Sequence, residues 1–154
     1  MKTKQRGMTL ESLVNQTNLS YRKMKKALIV KKSTPLKLTG QGVVYQASTV
    51  DYSGLYVKDS QVIPLAFDAK ETKNKTNFPL ANIEDHQINF LTLWSQVGGE
   101  AFLLIYFIKL EKIYKVDIKF LNEFIKENSR KSIPISEFKE EWEVDIKDYL
   151  QLNV

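Results

Sequence analysis

The chain has 154 residues, no cysteine and a formal net charge of +5. This length suits one domain with a buried core, and 43% hydrophobic with 27% charged residues is an ordinary globular composition. Without a thiol, disulfides, cysteine-based zinc sites and thiol catalysis are excluded.

Residues 1–8 are charged and lead into an amphipathic stretch rather than an apolar h-region, so no signal sequence is expected and the cytoplasm is the expected compartment. Thr9 is a candidate N-cap, and Leu10, Leu13, Val14 and Thr17 recur at helical spacing. They predict a helix over 10–26, with Asn18 the point where it would break. Residues 27–31 alternate weakly and suit a strand. Pro35 limits regular structure ahead of 36–38; Gly40 and Gly42 bracket a tight turn, and 43–47 is expected to return as the partner strand. Residues 52–57 and 61–70 read as a hairpin with 58–60 at its tip. A polar, basic loop over 71–77 is closed by Phe78-Pro79-Leu80. A helix over 82–96 follows, carrying Ile83, Phe90, Leu91 and Trp94 on its apolar face together with the polar Gln87, and Gly98-Gly99 ends it. Strands over 101–108 and 113–116, then short helices over 117–128 and 136–141, complete the order. The longest apolar run, 101–108, is too short to cross a bilayer. One α/β domain over 1–154 is the expected organisation.

Charge is unevenly placed. Residues 1–50 hold ten Lys or Arg against one acid, Glu11, whereas 51–154 hold 13 basic and 17 acidic residues. Such a basic third suits a polyanion bound with salt-sensitive affinity; a solvated lysine surface is the alternative reading.

Two short stretches carry chemistry. Asp51 stands just before what reads as a Gly-containing turn, Tyr52-Ser53-Gly54, and Asp68-Ala69-Lys70 ends the apolar run 62–67. On a strand, Asp68 and Lys70 share one face while Ala69 turns away. Two acids can hold a divalent cation, and a lysine beside them can face a phosphate or the attacking water. Oxygen ligands with neither Cys nor a His cluster favour a hard cation, Mg²⁺ or Mn²⁺. Metal-dependent phosphodiester hydrolysis is the expectation, although Asp-x-Lys by itself recurs in unrelated chains. Glu11 either orients the lysine or a water from the first helix, or is an ordinary first-turn acid favoured by the helix dipole. Gln87 either serves the site or is a hydrogen-bonded core glutamine. His86 lies in the solvated stretch with Glu84 and Asp85, and Trp94, Trp142, Phe102 and Phe107 read as core.

At these residues the chain resembles the RecU family of Holliday junction resolvases, within the restriction-endonuclease-like PD-(D/E)xK nuclease superfamily. The likeness begins at Arg6-Gly7-Met8-Thr9-Leu10-Glu11 and continues through Asn15-Gln16-Thr17-Asn18, Lys32-Ser33-Thr34-Pro35 and Thr49-Val50-Asp51-Tyr52-Ser53-Gly54. It is strongest over 69–80, extends to Asp85-His86-Gln87 and has a weaker echo at Arg130-Lys131-Ser132-Ile133. The resemblance implies an α/β fold with a restriction-endonuclease-like core, a mixed central sheet flanked by helices, and a stalk hairpin. It implies Asp51 and Asp68 as metal-binding carboxylates with Thr49 and Gln87 in support. Lys70 would be the transition-state stabiliser and Glu11 an active-site acid. It also implies a two-fold homodimer that nicks opposed strands of a four-way DNA junction with Mg²⁺, in recombination or repair, with a recombinase as a further partner. Arg6, Arg22, Lys31 and Lys32 of the basic third, with Lys73 and Lys75 of the basic loop, are the expected DNA contacts.

The chain departs from the family in three places. Asp68 stands where Glu is usual. The hairpin between 54 and 67 is longer, a change that could re-aim its strand. The stalk segment, around 36–50, has room for a stub alone, which weakens the basis for junction selectivity and for recombinase contact and fits a compact phage-type member. A branched-DNA nuclease of relaxed selectivity and a non-cleaving DNA-binding protein are therefore the alternative functions.

Overall fold

The computed structural model describes residues 7–32, 36–45 and 50–151. Thr9 caps helix α1 (Leu10–Lys23): its hydroxyl accepts the Ser12 N–H at 3.1 Å. Leu10, Leu13, Val14, Thr17 and Tyr21 turn inward at spacings of three and four. The helix runs unbroken through Asn18 and stops short of 26, because Met24 caps it and Lys25 takes a φ of 55°. After it come β1 (Ala27–Lys31), the hairpin β2–β3 (Leu36–Thr39 and Gly42–Tyr45), β4 (Tyr52–Lys58), β5 (Gln61–Thr72) and β6 (Asn77–Pro79). Then follow α2 (Asp85–Gln96), β7 (Glu100–Phe107), β8 (Lys112–Asp117), α3 (Ile118–Glu127), β9 (Ser132–Pro134) and β10 (Glu143–Val144).

Six strands make one mixed sheet in the order β1-β4-β5-β7-β8-β10. All neighbours are antiparallel except β5 and β7, which run parallel. Parallel neighbours need a crossover, and α2 supplies it. β2 pairs with β3 from Leu36↔Tyr45 to Thr39↔Gly42, giving a short two-stranded hairpin, and β6 pairs with β9.

Side-chain alternation divides the core between the two faces of the sheet. On one face Tyr52, Leu65, Phe67, Phe102 and Leu104 pack with Leu13, Val14 and Tyr21 of α1 and with Tyr149. On the other, Ala66, Leu103 and Ile105 pack with Leu91 of α2 and with Leu121 and Phe124 of α3. Asp68 and Lys70 have the parity of Ala66 and so belong to the α2 side.

Besides the helix bounds 10–26 and 82–96, which shorten to Leu10–Lys23 and Asp85–Gln96, three expectations need correction. Gly54 lies within β4, not in a turn: a Cβ there would fall on the Leu28 carbonyl of β1, so glycine is required for the two strands to approach. Residues 136–141 are not a helix; single 3-10 turns occupy Ile135–Glu137 and Glu140–Trp142, and between them Phe138 is held against the Phe107 and Tyr114 rings at 5.3 and 5.2 Å. The basic loop starts later than 71, because β5 continues through Thr72. Among the described residues no helix is long and apolar enough to cross a membrane.

Candidate active site

β4 and β5 stay in register from Lys58↔Gln61 to Tyr52↔Phe67. Asp59 and Ser60 close the tip at φ values of 50° and 63°, the positive-φ geometry of a tight two-residue hairpin. The hairpin thus keeps an unbroken register from its tip to the residue before Asp68. Beyond Phe67, β5 loses its β4 neighbour but keeps β7, with Asp68↔Leu103, Lys70↔Ile105 and Thr72↔Phe107. A slot opens on the β4 side of this overhang, where strand hydrogen bonds would otherwise form.

Asp51 fills that slot. Its own N–H donates to Asp68 Oδ1 at 2.6 Å, and its Oδ2 accepts the Ala69 N–H at 3.4 Å. One carboxylate thus stands in for the missing strand, and the other secures the chain that carries it. Asp68 is fully buried, and its second oxygen, Oδ2, accepts no hydrogen bond. Lys70 Nζ lies 3.6 Å from that oxygen. Burial first, and then the Asp51 carboxylate, push the Asp68 carboxyl up to about 6; the Asp51 N–H and the Lys70 ammonium act in the opposite direction. A buried carboxylate oxygen without a donor, facing a second carboxylate, is an incomplete arrangement for protein atoms alone. Hard oxygen donors of this kind fit a divalent cation.

The remaining candidates lie as follows. Gln87 is buried but committed: its Oε1 accepts the Glu84 N–H at 3.0 Å, while the Glu84 side chain accepts the Gln87 N–H, a reciprocal cap on α2. Glu11 pairs with Lys31 rather than with Lys70. Thr49 and Arg6 lie outside the described residues. Among the described residues no group of three His, Cys, Asp or Glu converges as a metal cluster. His86 Nδ1 is 3.1 Å from Glu84 Oε2, an exposed pair. Arg22, Lys31, Lys32, Lys73 and Lys75 are all exposed. Lys32 sits over the Phe90 ring at 5.5 Å, and its N–H donates to the Asp51 carbonyl at 2.7 Å, which ties the end of β1 to the site.

Glu71 was not singled out in the sequence. Its Oε2 accepts the Leu10 N–H at 3.1 Å, fixing the start of α1 to the strand that bears Lys70. Its place next to Lys70 on the opposite face of β5 was the available signal.

The model of the family described as RecU, Recombination protein U, matches residues 5–153. A Pediococcus pentosaceus protein named Holliday junction resolvase RecU is 40% identical over 151 residues, covering 88% of this chain and 73% of that protein. A protein of the same name from Oceanobacillus iheyensis is 40% identical over 144 residues, covering 84% and 71%. The Staphylococcus aureus one is 37% identical over 149 residues, covering 87% and 70%. The solved structure of Archaeoglobus fulgidus Hjc, a Holliday junction resolvase, overlays with a TM-score of 0.47 at 13% identity, covering 89% of this chain and 99% of that one. By the extent of the match and the identity to its named members, the chain belongs to the RecU family.

Proposed function

We propose that the chain is a divalent-cation-dependent endonuclease that resolves four-way DNA junctions. The observation that carries the reading is the convergence of Asp51, Asp68 and Lys70 around the undonated Asp68 Oδ2, in a chain of the RecU family. Asp51 and Asp68 would hold the cation, Mg²⁺ by preference with Mn²⁺ as a substitute. When bound, such an ion supplies Lewis acidity and positive charge at the phosphoryl group. Lys70, fixed beside Asp68, offsets the negative charge that grows on the phosphoryl oxygens as water adds to phosphorus. One P–O ester bond breaks, leaving a phosphomonoester on one end and a hydroxyl on the other. In this reading Thr49 and Gln87 support the carboxylates, Gln87 by fixing the start of α2. Glu11 acts by holding Lys31 near the substrate, and Arg22, Lys32, Lys73 and Lys75 meet phosphates.

Paired nicking needs two copies. On the α2 side of the sheet β1, β4 and the start of β5 are bare: Leu28, Val30, Leu55, Val57 and Val62 are each about half exposed or more. Leu28 pairs with Leu55 and Val57 with Val62, so these side chains form one continuous face. α2 also leaves Leu93 and Val97 exposed. An apolar face of this extent is unusual on a monomer, and a second copy related by a two-fold axis is the occupant we assign. The double variant Leu55→Asp/Val57→Asp is expected to sediment as a monomer and to lose coordinated nicking; a dimer at unchanged concentration dependence would exclude this face.

The test of the function is incubation of the protein with matched four-way, three-way and linear DNAs and Mg²⁺, mapping the nicks. Symmetric nicks on opposed strands of the four-way junction are expected. Absence of cutting in any metal would sink the reading. The four-residue strands of the β2–β3 hairpin favour a second reading, a branched-DNA nuclease of relaxed selectivity, which the same assay separates by comparable rates on three-way and four-way substrates.

A further inference from the structure

Along one flank of α1, Asn15, Asn18, Leu19 and Arg22 meet Ile29 and Lys31, on the face of β1 opposite Leu28 and Val30, around a groove of about 240 Å³ whose Arg22 end borders the apolar patch. Two buried tyrosines set its chemistry. Tyr52 O–H donates to Asn15 Oδ1 at 2.9 Å, and Tyr149 O–H donates to Asn18 Oδ1. Burial pushes both phenols up, so each stays a protonated donor. With the two amide oxygens engaged, the two Nδ2 groups are the parts of the asparagines left for a ligand. Neither has an acceptor among the described residues. Arg22 is exposed at the far end, and Lys31, at the near end, is held by Glu11. The groove therefore offers donors and positive charge, with Leu19 and Ile29 as apolar surface between them.

Its direction is also informative. Lys31 pairs with Tyr52, the residue after Asp51, and Tyr52 stacks on Phe67, the residue before Asp68, at 4.8 Å. The Asn15 end thus lies at the active-site end of the sheet. From Asn15 to Arg22 the helix rises about 10 Å, a linear run of donors rather than a single point.

We propose that this groove binds the sugar–phosphate backbone of a DNA arm, with Asn15, Asn18 and Arg22 donating to successive phosphate oxygens and Leu19 and Ile29 lying against the intervening deoxyribose. The inference rests on the junction-nuclease reading for its substrate, and it adds a site of neutral, tyrosine-fixed donors that the basic composition does not supply. Such contacts set register and orientation rather than sequence preference. A carboxylate-rich peptide would also satisfy the donors, but the regular spacing and the cations at the two ends, Arg22 and Lys31, favour the polyanion.

The experiment measures affinity for a linear duplex and for a four-way junction in EDTA over a range of salt. It compares the wild type, Asn15→Asp/Asn18→Asp, and a charge-matched control, Gln16→Asp/Ser20→Asp, on α1 outside the groove. Aspartate keeps an oxygen for each tyrosine, so the fold is retained, while the new carboxylates pair with Arg22 and repel phosphate. The groove variant is expected to bind both DNAs at least tenfold more weakly, with a salt slope smaller by about 1, and the control within about threefold of wild type. In the wild type the Asn15 and Asn18 side-chain amide resonances should shift when duplex is added. Equal affinity and slope in wild type and groove variant, or an equal loss in the control, overturns the proposal. If the wild type binds duplex through the groove but never cuts a junction, the nuclease reading fails and this site stands. If it cuts while the groove variant binds normally, the reverse holds; a wild type that binds no DNA removes both.

Discussion

Lys70→Ala is expected to lower junction cleavage by about a thousandfold while leaving junction affinity within about threefold of wild type. The basis is positional. Lys70 is mostly buried beside Asp68 and lies in the overhang of β5, so in the proposed function its charge would be held near the scissile phosphate at little conformational cost. Loss of one fixed donor or charge of this kind commonly costs two to three orders of magnitude in rate, roughly 3–4 kcal/mol of barrier. In the proposed function binding would rest on exposed cations elsewhere, which the substitution does not touch. Asp51→Asn should behave similarly for a different reason: the amide would remove one of the two proposed anionic ligands, and its single acceptor oxygen cannot both accept the Ala69 N–H and face the cation. Single-turnover cleavage of an end-labelled junction, paired with binding in EDTA, separates the two quantities. A Lys70→Ala protein that cuts at the wild-type rate would remove Lys70 from the chemistry.

Asp68→Asn should abolish cleavage and yet raise the melting temperature of the metal-free protein at pH 8. The sign follows from the raised carboxyl. In the unfolded chain Asp68 ionises near 3.8, and in the folded protein near 6. Between those values the unfolded state has lost its proton and the folded state still binds it, so stability falls as pH rises, and above about 6 the full cost is present. Two pH units correspond to about 3 kcal/mol, with the attraction to Lys70 already included in the shift; because the buried amide NH2 gains no full set of acceptors, a net gain of roughly 1–2 kcal/mol is expected for the neutral amide. For a chain of this size that is about 3–6 °C. At pH 4 the difference should shrink towards zero. Added Mg²⁺ should raise the wild type towards or past the variant, because a ligand of the folded state stabilises it by mass action. Thermal melts in EDTA at the two pH values decide the matter, and a variant less stable than wild type at pH 8 would refute a strained Asp68.

The strands and the pairing of Asp68 with Lys70 were readable because they depend on local pattern. The apolar run before Asp68 predicted β5, and the two-residue period then placed Asp68 and Lys70 together. Other features depend on partners distant in sequence. Gly54 looks like a turn residue until β1 is laid against it. Asn15 and Asn18 look like ordinary helix-surface amides until Tyr52 and Tyr149 reach them across 37 and 131 positions. Gln87 is a different case: Glu84 followed three residues later by Gln is a capping pattern legible in the sequence, and starting the helix at 82 hid it. The turns over 135–142 escaped prediction because ring packing around Phe138, not helical periodicity, sets the path there.

The continuous β4–β5 register has a consequence for how such chains can diverge. Gln61 to Asp68 is roughly 23 Å of extended strand, so the hairpin tip is remote from the cutting centre. Adding or deleting one residue on each strand at that tip preserves which side every later side chain faces. Length there is mechanically decoupled from chemistry, and the tip is the place where this scaffold can accept grafted sequence, a purification handle or a reporter without disturbing its cutting edge.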